Sequence, residues 1–312
     1  MKILVMGAGA VGGYFGARLR EAGEEVVFCA RGDNLRALRA RGLKVKSFRG
    51  DIRLKSVEAT DNPREFAPYD LILFCVKAYD TEEAARQIDG CLAPGGAILT
   101  LQNGVENEAR LCELFGTEHV MGGNARVGVE LSDPGVIAHH TTGVIQFGEL
   151  DGSRSARADS IAEVFDRAGI LGELSPDIRT LRWYKLLWNG AFNVATTLTR
   201  LRVGELLDDP EGLKLVRTLM EETLAVARAD GAVLSEKHID ELLEHSHRNL
   251  RALKTSTLQD FERGRRLEYE ALSGAVLRAA RRYGIKAPAT ETVYALLRLL
   301  DRGRRKSERE RE

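Results

Sequence analysis

The chain of 312 residues contains only four cysteines, no long apolar run and no excess of either charge sign. Cys29, Cys75, Cys91 and Cys112 form no C-x-x-C pair and are not joined by closely spaced histidines, so a zinc site is not expected. The thiols are expected to pack as small apolar side chains. No stretch approaches the roughly 18 apolar residues that crossing a bilayer requires, which excludes a membrane-spanning helix. Met1–Met6 runs directly into glycines and lacks the charged, apolar and cleavage regions of a secretion leader, so a cytoplasmic location is expected. Lys plus Arg number 46 and Asp plus Glu number 46, a formal net charge of zero. A dedicated nucleic-acid binder would be strongly basic, so no nucleic-acid partner is expected.

What is present is an alternation of strand-like and helix-like segments. Lys2–Met6, Glu25–Ala30, Leu71–Val76 and Ala97–Leu101 are apolar runs of strand length. Helical patterns at Val11–Glu21, Asp33–Arg41, Thr81–Leu92 and Glu106–Leu114 separate them, with Pro94-Gly95-Gly96 stopping the third. This order implies a parallel sheet with helices on both faces. Val120–Glu149 has β-branched runs around Asp133-Pro134-Gly135, as antiparallel strands do. A helix over Ser155–Ala168 and a short strand over Ile170–Leu174 follow. Beyond about Ser175 apolar residues recur at spacings of three and four, for example Leu215, Leu219, Met220, Leu224 and Ala227. The expected fold is an α/β Rossmann-type N-terminal domain, residues 1–174, with an all-α C-terminal domain, residues 175–300. Residues 301–312 read as a charged, frayed tail.

Gly7-Ala8-Gly9-Ala10-Val11-Gly12 fits G-x-G-x-x-G, directly after a predicted strand and opening a predicted helix. That context is what gives the pattern its meaning as a dinucleotide turn. Gly7 allows the tight turn, Gly9 admits the pyrophosphate close to the backbone, and Gly12 lets helix and strand approach. The helix N-terminus offers N–H groups and a positive dipole end to the phosphates. An NAD site places an acid at the end of the second strand, on the ribose 2′-hydroxyl. Here that strand ends Phe28-Cys29-Ala30-Arg31. A guanidinium pairs with a 2′-phosphate, so Arg31 favours NADPH/NADP+ over NAD. The alternative for Arg31 is a solvated loop cation.

Lys185, Asn189 and Asn193 are each four residues apart in Trp183–Asn193, a segment otherwise rich in Leu, Trp, Phe and Ala. On a helix they share one face. By spacing alone the stripe is equally a structural polar seam or a substrate site. Thr255–Asp260 and Glu268 form a second polar cluster, which by itself also reads as a helix cap and a solvated face. Lys77 and Asn103 follow two of the apolar strands, at the sheet edge where doubly wound folds bind ligands.

Together, GAGAVGGYFGARL, VKAYD, QNGVEN, WYKLLWNGAFN, TSTLQD and LEYEALSG, in this order from residue 1 to about 300, resemble the ketopantoate reductase (2-dehydropantoate 2-reductase) family. The resemblance implies NADPH-dependent reduction of 2-dehydropantoate to (R)-pantoate, a step toward pantothenate and coenzyme A. It implies that Lys185 is the general acid and Glu268 the second catalytic residue, which also touches the cofactor side. It implies that Asn189, Asn193 and Ser256 bind substrate, with Asn103 between substrate and nicotinamide. Lys77 and the backbone near Gly128 are implied cofactor contacts, beside Gly7 to Gly12 (with Ala8, Ala10 and Val11) and Arg31. The implied active site is the cleft between the two domains. Some family members carry Asn where Val203 stands, before Gly204-Glu205-Leu206. That difference leaves open reduction of another 2-keto acid. A reading of another class is a non-catalytic NADP-sensing protein, which predicts loss of Lys185 or Glu268; both are present. The expected partner is a small 2-keto acid, and monomer and homodimer are equally open.

Overall fold

The computed structural model describes residues 1–309. The chain forms two compact units. The first comprises Met1–Gln102 and Glu106–Ile178, the second Asn103–Val105 and Arg179 onward.

The first unit runs β1 (Lys2–Met6), α1 (Ala10–Glu21), β2 (Glu25–Cys29), α2 (Gly32–Arg41), β3 (Leu43–Ser47), β4 (Ile52–Leu54), β5 (Glu58–Thr60), β6 (Tyr69–Phe74), α3 (Thr81–Gln87), β7 (Leu92–Thr100), α4 (Asn107–Phe115), β8 (Val120–Asp133), β9 (Val136–Glu149), α5 (Ala156–Arg167) and β10 (Leu171–Leu174). The ten strands form one mixed sheet in the order β4-β3-β9-β8-β7-β6-β1-β2-β5, with β10 beside β9. From β8 to β5 every neighbour is parallel; β8 with β9 and β3 with β4 are antiparallel.

The apolar strands are buried on both faces because side chains alternate across the sheet. Ile3 and Val5 of β1, with Leu71 and Leu73 of β6, pack on one side with Tyr14, Phe15 and Leu19 of α1. Leu4 and Met6, with Ile72 and Phe74, pack on the other with Ala84 of α3 and Leu111 of α4. Strand order reverses at β1, whose neighbours are β2 and β6. That reversal opens a crevice at the carboxyl ends of β1 and β6, where ligands of such sheets bind. Ser155 caps α5, its hydroxyl accepting from the Ala158 N–H at 3.1 Å.

The second unit is helical: α6 (Ile178–Thr199, starting on the last residue of the first unit), α7 (Val203–Asp208), α8 (Pro210–Ala229), α9 (Glu236–Asn249), α10 (Ser256–Glu262), α11 (Ala275–Tyr283) and α12 (Pro288–Arg309). A single π-type turn, Glu270–Gly274, leads into α11. The core gathers Leu186, Leu187, Ala191 and Phe192 of α6 with Val216, Leu219, Met220 and Leu224 of α8. Trp183 is fully enclosed, its indole N–H donating to Asp230 at 2.8 Å.

The end of the chain differs from expectation. Instead of fraying, residues 301–309 continue α12, while 310–312 lie outside the described residues. The reason lies at Asp301, which is wholly buried. Its carboxylate accepts from the Leu267 N–H at 3.2 Å and pairs with Arg304 at 3.3 Å. An anchored carboxylate thus fixes the helix at the residue where the charged tail begins.

Candidate active site

The Gly-rich turn is built by β1 and α1. Gly7 has φ +97°, and its N–H and that of Ala8 both donate to the Cys29 carbonyl at the end of β2, at 3.2 and 2.8 Å. A Cβ at Gly7 would lie 2.8 Å from the Val76 nitrogen, and one at Gly12 would run into the Gly7 carbonyl oxygen. The fold itself therefore demands these two glycines. Gly9 is different. It precedes α1 with φ −79°, and a Cβ there would meet no protein atom within 4 Å. Packing does not require Gly9, and its bare backbone is open to approach from outside. The first turn of α1 carries no acidic side chain to cancel its positive end. These features fit a dinucleotide pyrophosphate.

Around this turn, Asn34 of α2 donates to the Ala8 carbonyl at 2.7 Å. Arg31 stands at the N-cap of α2, its guanidinium 2.6 Å from Asp80 and 3.6 Å from Glu83. Lys77, half-buried, opens a short 3₁₀ turn after β6. Gln102 fixes that loop from the end of β7: its amide donates to the Val76 carbonyl at 3.1 Å and to Thr81 at 2.8 Å. Gly128 lies at a bulge between β8 and β9, its N–H bonded to the Thr141 hydroxyl at 2.8 Å. Burial pushes the thiol of Cys29 up to about 11 and that of Cys75 up to about 12. Both flank the turn as neutral groups.

The second unit assembles a separate polar cluster on α6. Lys185 is half-buried, Asn189 is 9% and Asn193 1% exposed, all on one helical face. Asn189 donates to Asn103 at 3.3 Å, and Asn193 donates to the Ser256 hydroxyl at 3.4 Å. The Asn193 Oδ1 is buried and has no hydrogen-bond partner in the protein. A buried amide oxygen left without a donor is costly, and it marks a position a ligand hydroxyl or amine can fill. Ser256 opens α10 immediately after Thr255, which caps that helix and shares a 2.8 Å hydrogen bond with Thr196.

Asn103 reaches this cluster because its loop belongs to the helical unit. Arg182 donates to the Gly104 carbonyl at 2.6 Å, and Gly104, at φ +101°, lies so close to the Ala271 carbonyl that a Cβ would stand 2.7 Å from it. Ala271 belongs to the π-type turn, and its N–H donates to the Glu268 carbonyl at 3.0 Å. Glu268 itself is 5% exposed. Thus α6 pairs Asn189 with Asn103 and Asn193 with Ser256, and Glu268 lies one tight turn from the Asn103 loop. Such π-type turns are frequent at functional positions.

Residues 3–152 match the ketopantoate reductase PanE/ApbA family, and residues 177–301 match the C-terminal region of ketopantoate reductase PanE/ApbA. The chain belongs to the ketopantoate reductase family. It is 33% identical to the 2-dehydropantoate 2-reductase of Archaeoglobus fulgidus, over 97% of this chain and 98% of that one. The crystal structure of 2-dehydropantoate 2-reductase from Geobacter metallireducens GS-15 superposes with a TM-score of 0.91 at 35% identity, covering 96% of this chain and 99% of that one. The PanE/ApbA family ketopantoate reductase of Ralstonia eutropha JMP134 gives a TM-score of 0.91 at 34% identity, covering 98% and 100%.

Membership makes the chain an oxidoreductase with a Rossmann-like N-terminal fold. No helix among the described residues is long and apolar enough to cross a membrane, and no three His, Cys, Asp or Glu side chains among them form a metal-holding group. Within this ketopantoate reductase framework, Asn34, Asp80, Gln102 and Arg182 join the residues marked by sequence. Asp80 and Gln102 sit inside VKAYD and QNGVEN, yet their contacts cross long sequence separations that no local pattern shows.

Proposed function

We propose that the protein catalyses NADPH-dependent reduction of 2-dehydropantoate to (R)-pantoate, on the path to pantothenate and coenzyme A. One observation carries the reading. A Lys–Asn–Asn stripe on α6 is hydrogen-bonded to Asn103 and Ser256, and it presents a buried amide oxygen lacking a protein donor. A neutral amide and hydroxyl set of this kind suits a carboxylate and hydroxyl on a small keto acid without a metal.

The dinucleotide would be held by Gly7–Gly12 and the N-terminus of α1, with Arg31 at the 2′-phosphate and Lys77, Asn103 and the backbone at Gly128 as further contacts. When bound, it supplies a hydride to the ketone carbon. Lys185 then has a defined task. Negative charge grows on the ketone oxygen as the carbon is reduced, and the ammonium stabilises that charge and gives up a proton to it. Asn189, Asn193 and Ser256 hold the substrate's carboxylate and hydroxyl so that the carbonyl oxygen meets Lys185. Glu268, kept out of bulk water, holds the reacting oxygen's surroundings in place.

Val203 favours a second reading. It is fully buried and apolar, and its N–H donates to the Leu253 carbonyl at 3.2 Å, two residues before the cap of α10. An apolar residue there suits a keto acid lacking pantoate's terminal hydroxyl. The test is NADPH oxidation with 2-dehydropantoate beside a panel of other 2-keto acids, for wild type and Lys185→Ala. Saturable turnover with 2-dehydropantoate alone, lost in the variant, supports the first reading; turnover only with another acid replaces it with the second. NADPH binding without any turnover points to an NADP-sensing protein.

A further inference from the structure

We infer that Asp80 and Glu83 tune the choice of dinucleotide by competing with the 2′-phosphate for Arg31. The inference rests on the proposal that Arg31 receives that phosphate. Asp80 lies 49 residues from Arg31 in sequence, yet its Oδ2 is 2.6 Å from one guanidinium nitrogen, and Glu83 Oε1 is 3.6 Å from another. Both acids stand at the start of α3, Asp80 at the N-cap and Glu83 in the first turn. Asp80 makes no side-chain capping hydrogen bond. Its carboxylate is turned to Arg31 rather than to the helix it opens.

One cation between two carboxylates leaves a local charge of about −1, onto which a phosphate of roughly −2 must settle. It has to displace a charge-assisted hydrogen bond and then remain beside the released carboxylates. A ribose 2′-hydroxyl meets no such repulsion and can donate to a carboxylate. Arg31 therefore pulls toward the phosphorylated dinucleotide while Asp80 and Glu83 push against it. The preference is the difference of the two. The Glu83 side chain is 61% and the Asp80 side chain 23% exposed, and Asn and Gln keep the shapes they replace, so removing the acidic charges leaves the fold intact.

The experiment is titration of NADPH and NADH against wild type, Asp80→Asn, Asp80→Asn/Glu83→Gln and Arg31→Gln, followed by nucleotide fluorescence. The expected result is a gain: NADPH affinity rises about three- to tenfold in Asp80→Asn and further in the double variant. NADH affinity does not rise by more than about twofold, since NADH carries no 2′-phosphate and its 2′-hydroxyl loses a carboxylate acceptor. A merely structural role for the acids would not tighten binding of one nucleotide alone. Unchanged or weaker NADPH binding in both acidic-site variants, with Arg31→Gln still losing NADPH affinity, overturns the competition and leaves Arg31's role standing. An Arg31→Gln variant that binds NADPH as wild type does overturns the reading of Arg31 itself, and the inference with it.

Discussion

Asn34 is tied to the carbonyl of Ala8, inside the Gly-rich turn, at 2.7 Å, while its own side-chain oxygen accepts from the Gly135 N–H at 2.8 Å. One amide thus joins the turn to the tip of the β8–β9 hairpin, which lies 101 residues beyond Asn34 in sequence. Asn34→Ala removes both bonds, for a loss of about 1–2 kcal/mol in stability. The loosened turn is expected to weaken dinucleotide binding on the order of tenfold, a change of about 1.4 kcal/mol. Nucleotide titration and urea unfolding on the same variant check both, and kcat at saturation should stay near wild type.

The three glycines of the turn should separate by substitution. Gly9→Ala is expected to leave the melting temperature nearly unchanged, because a Cβ there meets nothing, while nucleotide affinity falls sharply. Gly7→Ala and Gly12→Ala should each cost roughly 1–3 kcal/mol of stability, the first from its positive φ and the second from collision with backbone. Thermal melts without nucleotide decide the matter. Equal destabilisation by all three would remove the argument that Gly9 is bare for a ligand.

Lys185→Ala should lower kcat by about 10²- to 10⁴-fold with nucleotide affinity retained, as loss of a general acid does. Asn193→Leu, which fills the position of the partnerless oxygen with an apolar group, should raise the keto acid KM more than it lowers kcat. Steady-state kinetics over a range of keto acid concentrations separates the two effects.

His139 predicts a pH dependence of stability. Its ring lies 4.2 Å from Tyr14 and 5.0 Å from Phe48, its Nδ1 is 2.8 Å from the Ser47 hydroxyl, and its buried Nε2 has no partner. Burial, with help from the nearby charges of Arg18, Arg49 and His140, lowers its pKa from 6.5. As pH falls, the unfolded chain takes up this proton before the folded one does. The contribution is therefore complete above 6.5 and declines as pH drops toward the depressed folded value. Urea midpoints of wild type should fall more steeply below about pH 6.5 than those of His139→Gln. Parallel curves would exclude the histidine as the cause.

Asp301→Ala should cost about 1–3 kcal/mol, because it leaves the buried Leu267 N–H without its acceptor and removes the carboxylate paired with Arg304. Leu267 directly precedes Glu268, so turnover should fall further than the lost stability explains. Activity measured well below the melting temperature tests this.

Much of the site was legible in the sequence because its signals are periodic. A strand, a Gly-rich turn and a helix stood consecutively, and the four-residue spacing of Lys185, Asn189 and Asn193 specified a single face, as found. Other parts carried no such mark. The short strands β3, β4 and β5 are rich in charged residues, for example Lys44, Lys46, Arg53 and Glu58, and exist because neighbouring strands complete their hydrogen bonds. Pro94-Gly95-Gly96, expected to end a helix, instead bulges within β7, where Leu92 faces Tyr69 and Ala97 already faces Leu71. Gln102 and Arg182 act on the carbonyls of Val76 and Gly104, and no side-chain pattern marks a carbonyl as a target. The partnerless Asn193 oxygen, which bears on whether the α6 stripe is a polar seam or a substrate site, is a matter of packing that no spacing shows.

The loop Asn103–Val105 has a consequence for biogenesis. It is translated with the α/β unit, but the Arg182 guanidinium that fastens it comes 78 residues later. On a ribosome the first unit can close its sheet while this loop still waits for its anchor. A nascent chain whose residues up to Ile178 have cleared the ribosome should hold a folded sheet with a protease-sensitive stretch at 103–105, protected only once α6 has emerged. Asn103 is thus made early and seated late.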